Sequence, residues 1–172
     1  MITRQLNSED AAEYQELRLR ALRESPTSFS SSHTQEAGRS LSEIAVRVAP
    51  AADGTRCVFG VFTGDRLSGF VAFIRPQAEK LRHCAELAGM YVAPEFRRHG
   101  FGRALLDAVI AHARSAGGIR QLKLGVNAAN AAARRLYQSA GFTCFGVEPA
   151  ALYVDGEYYD EEFHVLRFSQ DD

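Results

Sequence analysis

The chain has no continuous apolar run near the roughly 18 residues that a membrane-spanning helix needs. It also has no excess of either charge: 20 Lys and Arg stand against 21 Asp and Glu, a net charge of −1. That balance removes the global footprint of a nucleic-acid or membrane-surface binder and leaves only a local basic patch open. Cysteine is sparse. Cys57, Cys84 and Cys144 are odd in number, widely spaced and set among β-type residues. They match no metal-ligand spacing and read as core thiols of a reducing compartment, the cytoplasm. The opening MITRQLNSED lacks the basic head and apolar run of a secretory signal. The expectation is a protein that binds no metal, nucleic acid or membrane.

What is present suits one domain spanning residues 1–172, with 46% hydrophobic and 24% charged residues. ITRQL alternates as a short strand, and Asp10 is placed to cap a helix carrying Tyr14, Leu17 and Ala21 on one face. Pro26 and a serine run break that helix, and a second helix is expected over Leu41 to Val48. RCVFGVFT and LSGFVAFI flank Gly64-Asp65 as a hairpin. CAELAGMYV is a third strand of the middle region, followed by a helix through Leu105, Leu106, Val109, Ile110 and Ala113. QLKLGV, NAAARRLYQSA and GFTCFGVE read as strand, helix, strand. The tail around Asp155-Gly156 offers two short segments, the second the better strand. The order implies an α/β domain with a mixed sheet.

Residues 94–106, PEFRRHGFGRALL, place two glycines at the mouth of the long helix. Pro94 ends the preceding strand. The first N–H groups of a helix have no internal partner, and the helix dipole makes that end positive. Gly100 and Gly102 remove side chains and permit positive φ, so the stretch is a cradle for an anion such as phosphate. A Walker loop would need a lysine that is absent, and a dinucleotide fingerprint would need glycine at Leu105. The alternative is a plain glycine-rich connection before a buried helix.

The remaining pattern, Arg97-x-x-Gly100-x-Gly102, resembles the cofactor loop of the GCN5-related N-acetyltransferase superfamily. A second segment, NAAARRLYQSAGF, is similar to that superfamily at Asn130, Ala133, Leu136, Tyr137, Gly141 and Phe142. Structural roles are open for the same residues: Asn130 as an N-cap, Ala133 and Tyr137 as one helix face, Gly141 as a C-terminal cap. Glu86, a glutamate inside an apolar strand, needs water, a partner or a cleft. Its offset from Arg97 is that of the general base in histone acetyltransferases of the superfamily.

The resemblance implies a mixed, mostly antiparallel central sheet flanked by helices on both faces. It implies acetyl-CoA as cosubstrate and a primary amine as acceptor, with the alternative of an acetyl-CoA sensor without turnover. Relatives are often homodimers, although no residue here demonstrates one. In this reading Tyr137 protonates the departing thiolate, and Glu86 acts as base, water relay or structural carboxylate. The cofactor would lie along Met90, Tyr91 and Val92, with an oxyanion donor near Tyr91. Its phosphates would sit on the loop of Arg97, Arg98, His99, Gly100, Phe101, Gly102 and Arg103, and its arm near Asn130 and Ala133. Arg134 and Arg135 add positive charge nearby, while the His99 side chain is expected to be exposed and passive. A lysine-like amine of pKa near 10.4 costs about 4.6 kcal/mol to neutralise at pH 7, an α-amine near 8 only about 1.4. A base therefore matters more for the first acceptor type. The acidic tail segment VDGEYYDEE offers attraction to a cationic amine, or is a solvated hairpin.

Overall fold

The segment Arg66–Ile74 is apolar on both faces, and it forms a central strand: Phe70 packs into one layer and Phe73 into the other, each essentially fully buried. The computed structural model describes residues 1–168. Its elements are β1 (Ile2–Gln5), α1 (Ala11–Glu24), α2 (His33–Ala37), α3 (Leu41–Val48), β2 (Arg56–Thr63), β3 (Arg66–Ile74) and β4 (Cys84–Val92). These are followed by α4 (Phe101–Ser115), β5 (Gln121–Asn127), α5 (Ala131–Ser139), β6 (Thr143–Val154) and β7 (Glu157–Arg167). The seven strands form one sheet in the order β1-β2-β3-β4-β5-β7-β6. Among the described strands, only the β4–β5 pair is parallel. Leu105, Leu106 and Val109 of α4 pack on one face with Tyr137 of α5. Tyr14 and Leu17 of α1 pack on the other with Ile44 and Val48 of α3.

Local chemistry explains most boundaries. The β2–β3 turn runs through Gly64 at φ +57°, and β6–β7 turns at Asp155 and Gly156, both with positive φ, the geometry of a two-residue hairpin. Ser40 and Glu43 form a reciprocal capping box on α3. Gly60 is required by packing, since a Cβ there would lie 2.5 Å from Leu6 and 2.6 Å from Leu67.

Four expectations are corrected. Asp10 does not cap α1; its carboxylate accepts from the Asn7 N–H at 2.8 Å and takes a bidentate Arg4 at 2.6 and 2.8 Å. The serine-rich break contains α2, which Ser32 and Gln35 cap. The first half of the tail belongs to β6, which reaches Val154 by absorbing irregularities between Cys144 and Gly146 and between Glu148 and Leu152. Cys144, on that edge strand, is exposed, whereas Cys57 and Cys84 are buried.

Arg4 holds the buried Asp10 carboxyl below its usual range, against the opposing effect of burial. A depressed carboxyl contributes stability above its unfolded pKa near 3.8 and loses it as pH falls through the folded value. Asp10→Asn is expected to cost about 1–2 kcal/mol in urea unfolding at pH 7. The same variant should flatten the fall in stability below pH 4, and an unchanged acid limb would contradict the pairing.

Candidate active site

The sheet opens where β4 and β5 part. Their parallel pairing covers Cys84, Ala85 and Glu86 against Gln121, Leu122 and Lys123, and stops there. β3 continues to pair with β4 as far as Val92. Among the described residues, 87–92 of β4 therefore have a strand partner on one side only, and the gap toward β5 exposes their other edge apart from Val92 O, which accepts from Arg97.

Gly89, at φ +60°, puts a bulge into this edge. The extra residue shifts side-chain parity. Ala85 and Leu87 face α4 before it, and Met90 and Val92 face α4 after it, while Tyr91 and Ala93 turn to the α1 layer. The Ala93 N–H donates to Ser68 O at 3.0 Å, so Tyr91, two residues back and opposite Phe70, directs its backbone polar groups to β3 as well. Met90 and Val92 direct theirs to the gap. The Tyr91 side chain lies on the far face, where its hydroxyl donates to Glu24; burial and that carboxylate raise its pKa. Arg20 binds Glu24 at 2.8 Å and both oxygens of Glu95 at 2.8 Å, which ties α1 to the segment after β4.

That segment leads into the glycine loop. Arg98 has φ +64° and Gly100 has φ +84° as the residue before α4. The first helical bond runs from the Ala104 N–H to Gly100 O at 2.9 Å, so the N–H groups of Phe101, Gly102 and Arg103 precede the helical ladder. Nothing lies within 4 Å of a Cβ built on Gly100. Gly102 has a different reason to be glycine: its Cβ would meet Leu136 at 3.2 Å and Met90 at 3.4 Å, so its absence lets α5 approach α4 and β4.

The loop side chains are largely engaged elsewhere. Arg97 donates to Val92 O at 2.9 Å, Arg103 pairs with Asp107 at 2.8 Å, and Phe101 is buried and stacks on Phe96 at 5.3 Å. Arg98 and His99 are exposed. Arg134, expected near phosphates, instead binds Glu162 at 2.8 Å. Arg135 is exposed.

On the α4 side of the gap stands Tyr137, buried in α5, its pKa pushed up to about 12 by burial. Its hydroxyl has the Met90 sulfur as a weak acceptor at 3.7 Å. Asn130 caps α5 by accepting from the Ala133 N–H at 3.1 Å, and Ala133 is half-buried against the same layer. Asn127, which no sequence motif marks, is buried and spans Thr27 O and the Ala129 N–H, fixing the turn from β5 into α5.

On the opposite face the gap meets a cavity of about 480 Å³. Glu86 lines it, as do α1 through Tyr14 and Arg18, residues 28–31, and Phe145 and Phe163 of the terminal hairpin. Glu86 is exposed at its wall. Glu161 lines the same cavity, and a Cβ on Gly125 would fall 2.6 Å from its carboxylate, so glycine at 125 is what lets that group lie on β5. Burial first, and then Glu148, raise the Glu161 carboxyl. The acidic tail is dispersed: β7 alternation turns Glu162 to Arg134, and Asp160 accepts from the Ala150 N–H.

Two residues of this cavity were not singled out from sequence. Arg18 was hidden by its charge, although it sits four residues after Tyr14 on the buried stripe of α1. Glu161 is one acid of a run in the sequence, which hides it. Sequence spacing also did not show that Cys144, Glu162 and His164 lie within 4.8 Å of one another. The Glu162 carboxylate there is already held by Arg134 and by His164 at 2.9 Å.

A family model described as Acetyltransferase (GNAT) family matches residues 16–142. Mycothiol acetyltransferase of Thermobispora bispora is 42% identical over 94 residues, which is 52% of this chain and 32% of that protein. The [ribosomal protein bS18]-alanine N-acetyltransferase of Escherichia coli K12 is 45% identical over 58 residues, 34% of this chain and 38% of that protein. The chain thus matches about a third of the length of these curated relatives. A GNAT-family acetyltransferase from Streptococcus pneumoniae superposes with a TM-score of 0.84 at 23% identity, covering 97% of this chain and 99% of that one. A Salmonella typhimurium structure described with its cofactor acetyl-CoA gives 0.81 at 23% identity, over 99% and 95%. The structural likeness is one of fold, and the family match spans both the open strand pair and the glycine loop: the chain belongs to the acetyltransferase (GNAT) family.

Proposed function

We propose that the protein transfers an acetyl group from acetyl-CoA to a primary amine by direct attack on the thioester. The observation that carries this reading is the parting of β4 and β5 after Glu86 and Lys123. It joins a free backbone edge and the glycine loop on one face to a cavity with carboxylates on the other. The chain fits the cosubstrate: the edge at Met90 and Val92 suits pantetheine amides, and the N–H groups from Arg98 to Arg103 suit a pyrophosphate. Acetyl-CoA supplies a carbonyl activated by a thiolate leaving group.

The chain's residues do the rest. An N–H of Met90 or Val92 faces the carbonyl oxygen that gains charge as the new C–N bond forms and the C–S bond breaks. The amine proton passes to a carboxylate of the cavity. Glu86 is one candidate, directly or through water; the burial-raised carboxyl favours Glu161. Tyr137 is the donor to the departing sulfur in this reading. With its pKa near 12 and a thiol near 8.5, complete proton transfer costs about 5 kcal/mol, so it acts as a hydrogen-bond donor while charge accumulates.

Purified protein, acetyl-CoA and a panel of amines, read by a thiol reagent, test the proposal. Tight CoA binding without amine-dependent thiol release would leave the sensor reading instead. With a lysine-like acceptor, Glu161→Gln is expected to lower kcat/KM by at least about tenfold and remove its acidic limb. Glu86→Gln should do less, and the opposite order would return the base to Glu86.

A further inference from the structure

The acceptor cavity is more cationic than its carboxylates suggest. Arg18, Arg47, Arg56 and Lys123 line it against Glu86 and Glu161. Arg47 is neutralised by both oxygens of Glu36, at 2.8 and 2.9 Å, and Arg39 shares that carboxylate at 3.2 Å. Arg18 is the unusual one. It is 5% exposed, its guanidinium lies 4.4 Å over the Phe29 ring, and it donates to Ser31 Oγ at 2.9 Å. Among the described residues it has no carboxylate within ion-pair distance, and its Nε is buried without a partner. The Arg56 Nε is buried and unpartnered too. A buried guanidinium held in place by an aromatic face and a serine, with donors left over, is costly unless an anion arrives.

Its position says where that anion would lie. A Cβ on Gly89 would stand 3.6 Å from Arg18 Nη1, so the guanidinium sits beside the β4 bulge, where the gap opens into the cavity. A ligand anchored there by an oxyanion has the backbone edge of β4 and the two carboxylates within the same enclosure. The cavity volume suits a small molecule.

Resting on the transferase reading, we infer that the acceptor is a small primary amine that carries its own carboxylate, as a free amino acid does, and that Arg18 binds this carboxylate. Planar, bidentate recognition is what arginine does and lysine does not. A purely cationic amine, such as a polyamine, would instead bring its charge against Arg18, Arg56 and Lys123, with only Glu86 and Glu161 to offset them.

The test is calorimetric titration of the CoA-bound protein with matched sets: amino acids, their carboxamides and the corresponding decarboxylated amines. For the side chain that binds most tightly, the free carboxylate should bind at least about tenfold tighter than the carboxamide. Arg18→Met should bring that ratio to about one while CoA affinity stays within about twofold, and it should raise the Tm of the ligand-free protein by removing a buried charge. If Arg18→Met does not fold, Arg18→Lys decides, because it keeps the charge and the stem and should still lose most of the preference. Equal affinities within a set, binding of none of the carboxylates, or a preference that survives loss of the guanidinium would overturn the inference. Carboxylate-selective binding without acetyl transfer would overturn the transferase reading and leave the Arg18 site standing.

Discussion

Tyr137→Phe is expected to lower kcat by about 10²–10³-fold with little change in the KM for acetyl-CoA. Among the described residues the hydroxyl has no oxygen partner, only the Met90 sulfur at 3.7 Å, so its removal costs the resting protein almost nothing. The ring keeps its place beside Phe142 at 6.0 Å between centroids. Thermal unfolding should therefore be unchanged while turnover collapses, which separates a role at the sulfur from a role in the core. Retained kcat would remove Tyr137 from the chemistry. Because burial lifts the phenol to about 12, the wild-type kcat should also show no basic limb from this group below about pH 10.

Gly100→Val is expected to raise the KM for acetyl-CoA by about 100-fold, and Arg98→Ala by less than about fivefold. Gly100 sits at φ +84°, where a β-branched residue is strained by about 1–3 kcal/mol. Relieving that strain means turning the peptide N–H groups away from their common direction ahead of α4. Each charge-assisted hydrogen bond lost to a phosphate is worth about 1.5–3 kcal/mol, so one or two suffice for the effect. Arg98 is exposed, and salt screens a solvated guanidinium. A larger effect from Arg98→Ala than from Gly100→Val would show that side-chain charge, and not backbone, grips the cosubstrate.

The two variants draw on parts of the chain that differ in how far they could be read in advance. Gly100 could be found because a loop, a cap and the first turn of a helix are consecutive in sequence. Tyr137 could be found because the segment from Asn130 to Phe142 resembles the family pattern, whose residues are consecutive in one short helix and its caps. The base was harder. Glu86 stood out as a charge in an apolar strand, whereas Glu161 was one acid among several until β7 paired with β5 and Gly125 left room for its carboxylate.

Apart from α2 and the full reach of β6, the elements and their order are legible in the amino-acid sequence, as are the β2–β3 turn, the glycine mouth of α4 and the capped start of α5. Each of these follows from periodicity or from backbone preferences over a few neighbouring residues, which need no partner to operate. Packing sets the bulge at Gly89 that turns Tyr91 away from the gap, and the point after Glu86 and Lys123 at which β4 and β5 separate. It alone gathered Arg18, Glu86 and Glu161 around one cavity. Strand register and the meeting of side chains from α1, β4 and β7 depend on packing between distant segments, and local sequence does not encode the distance between them.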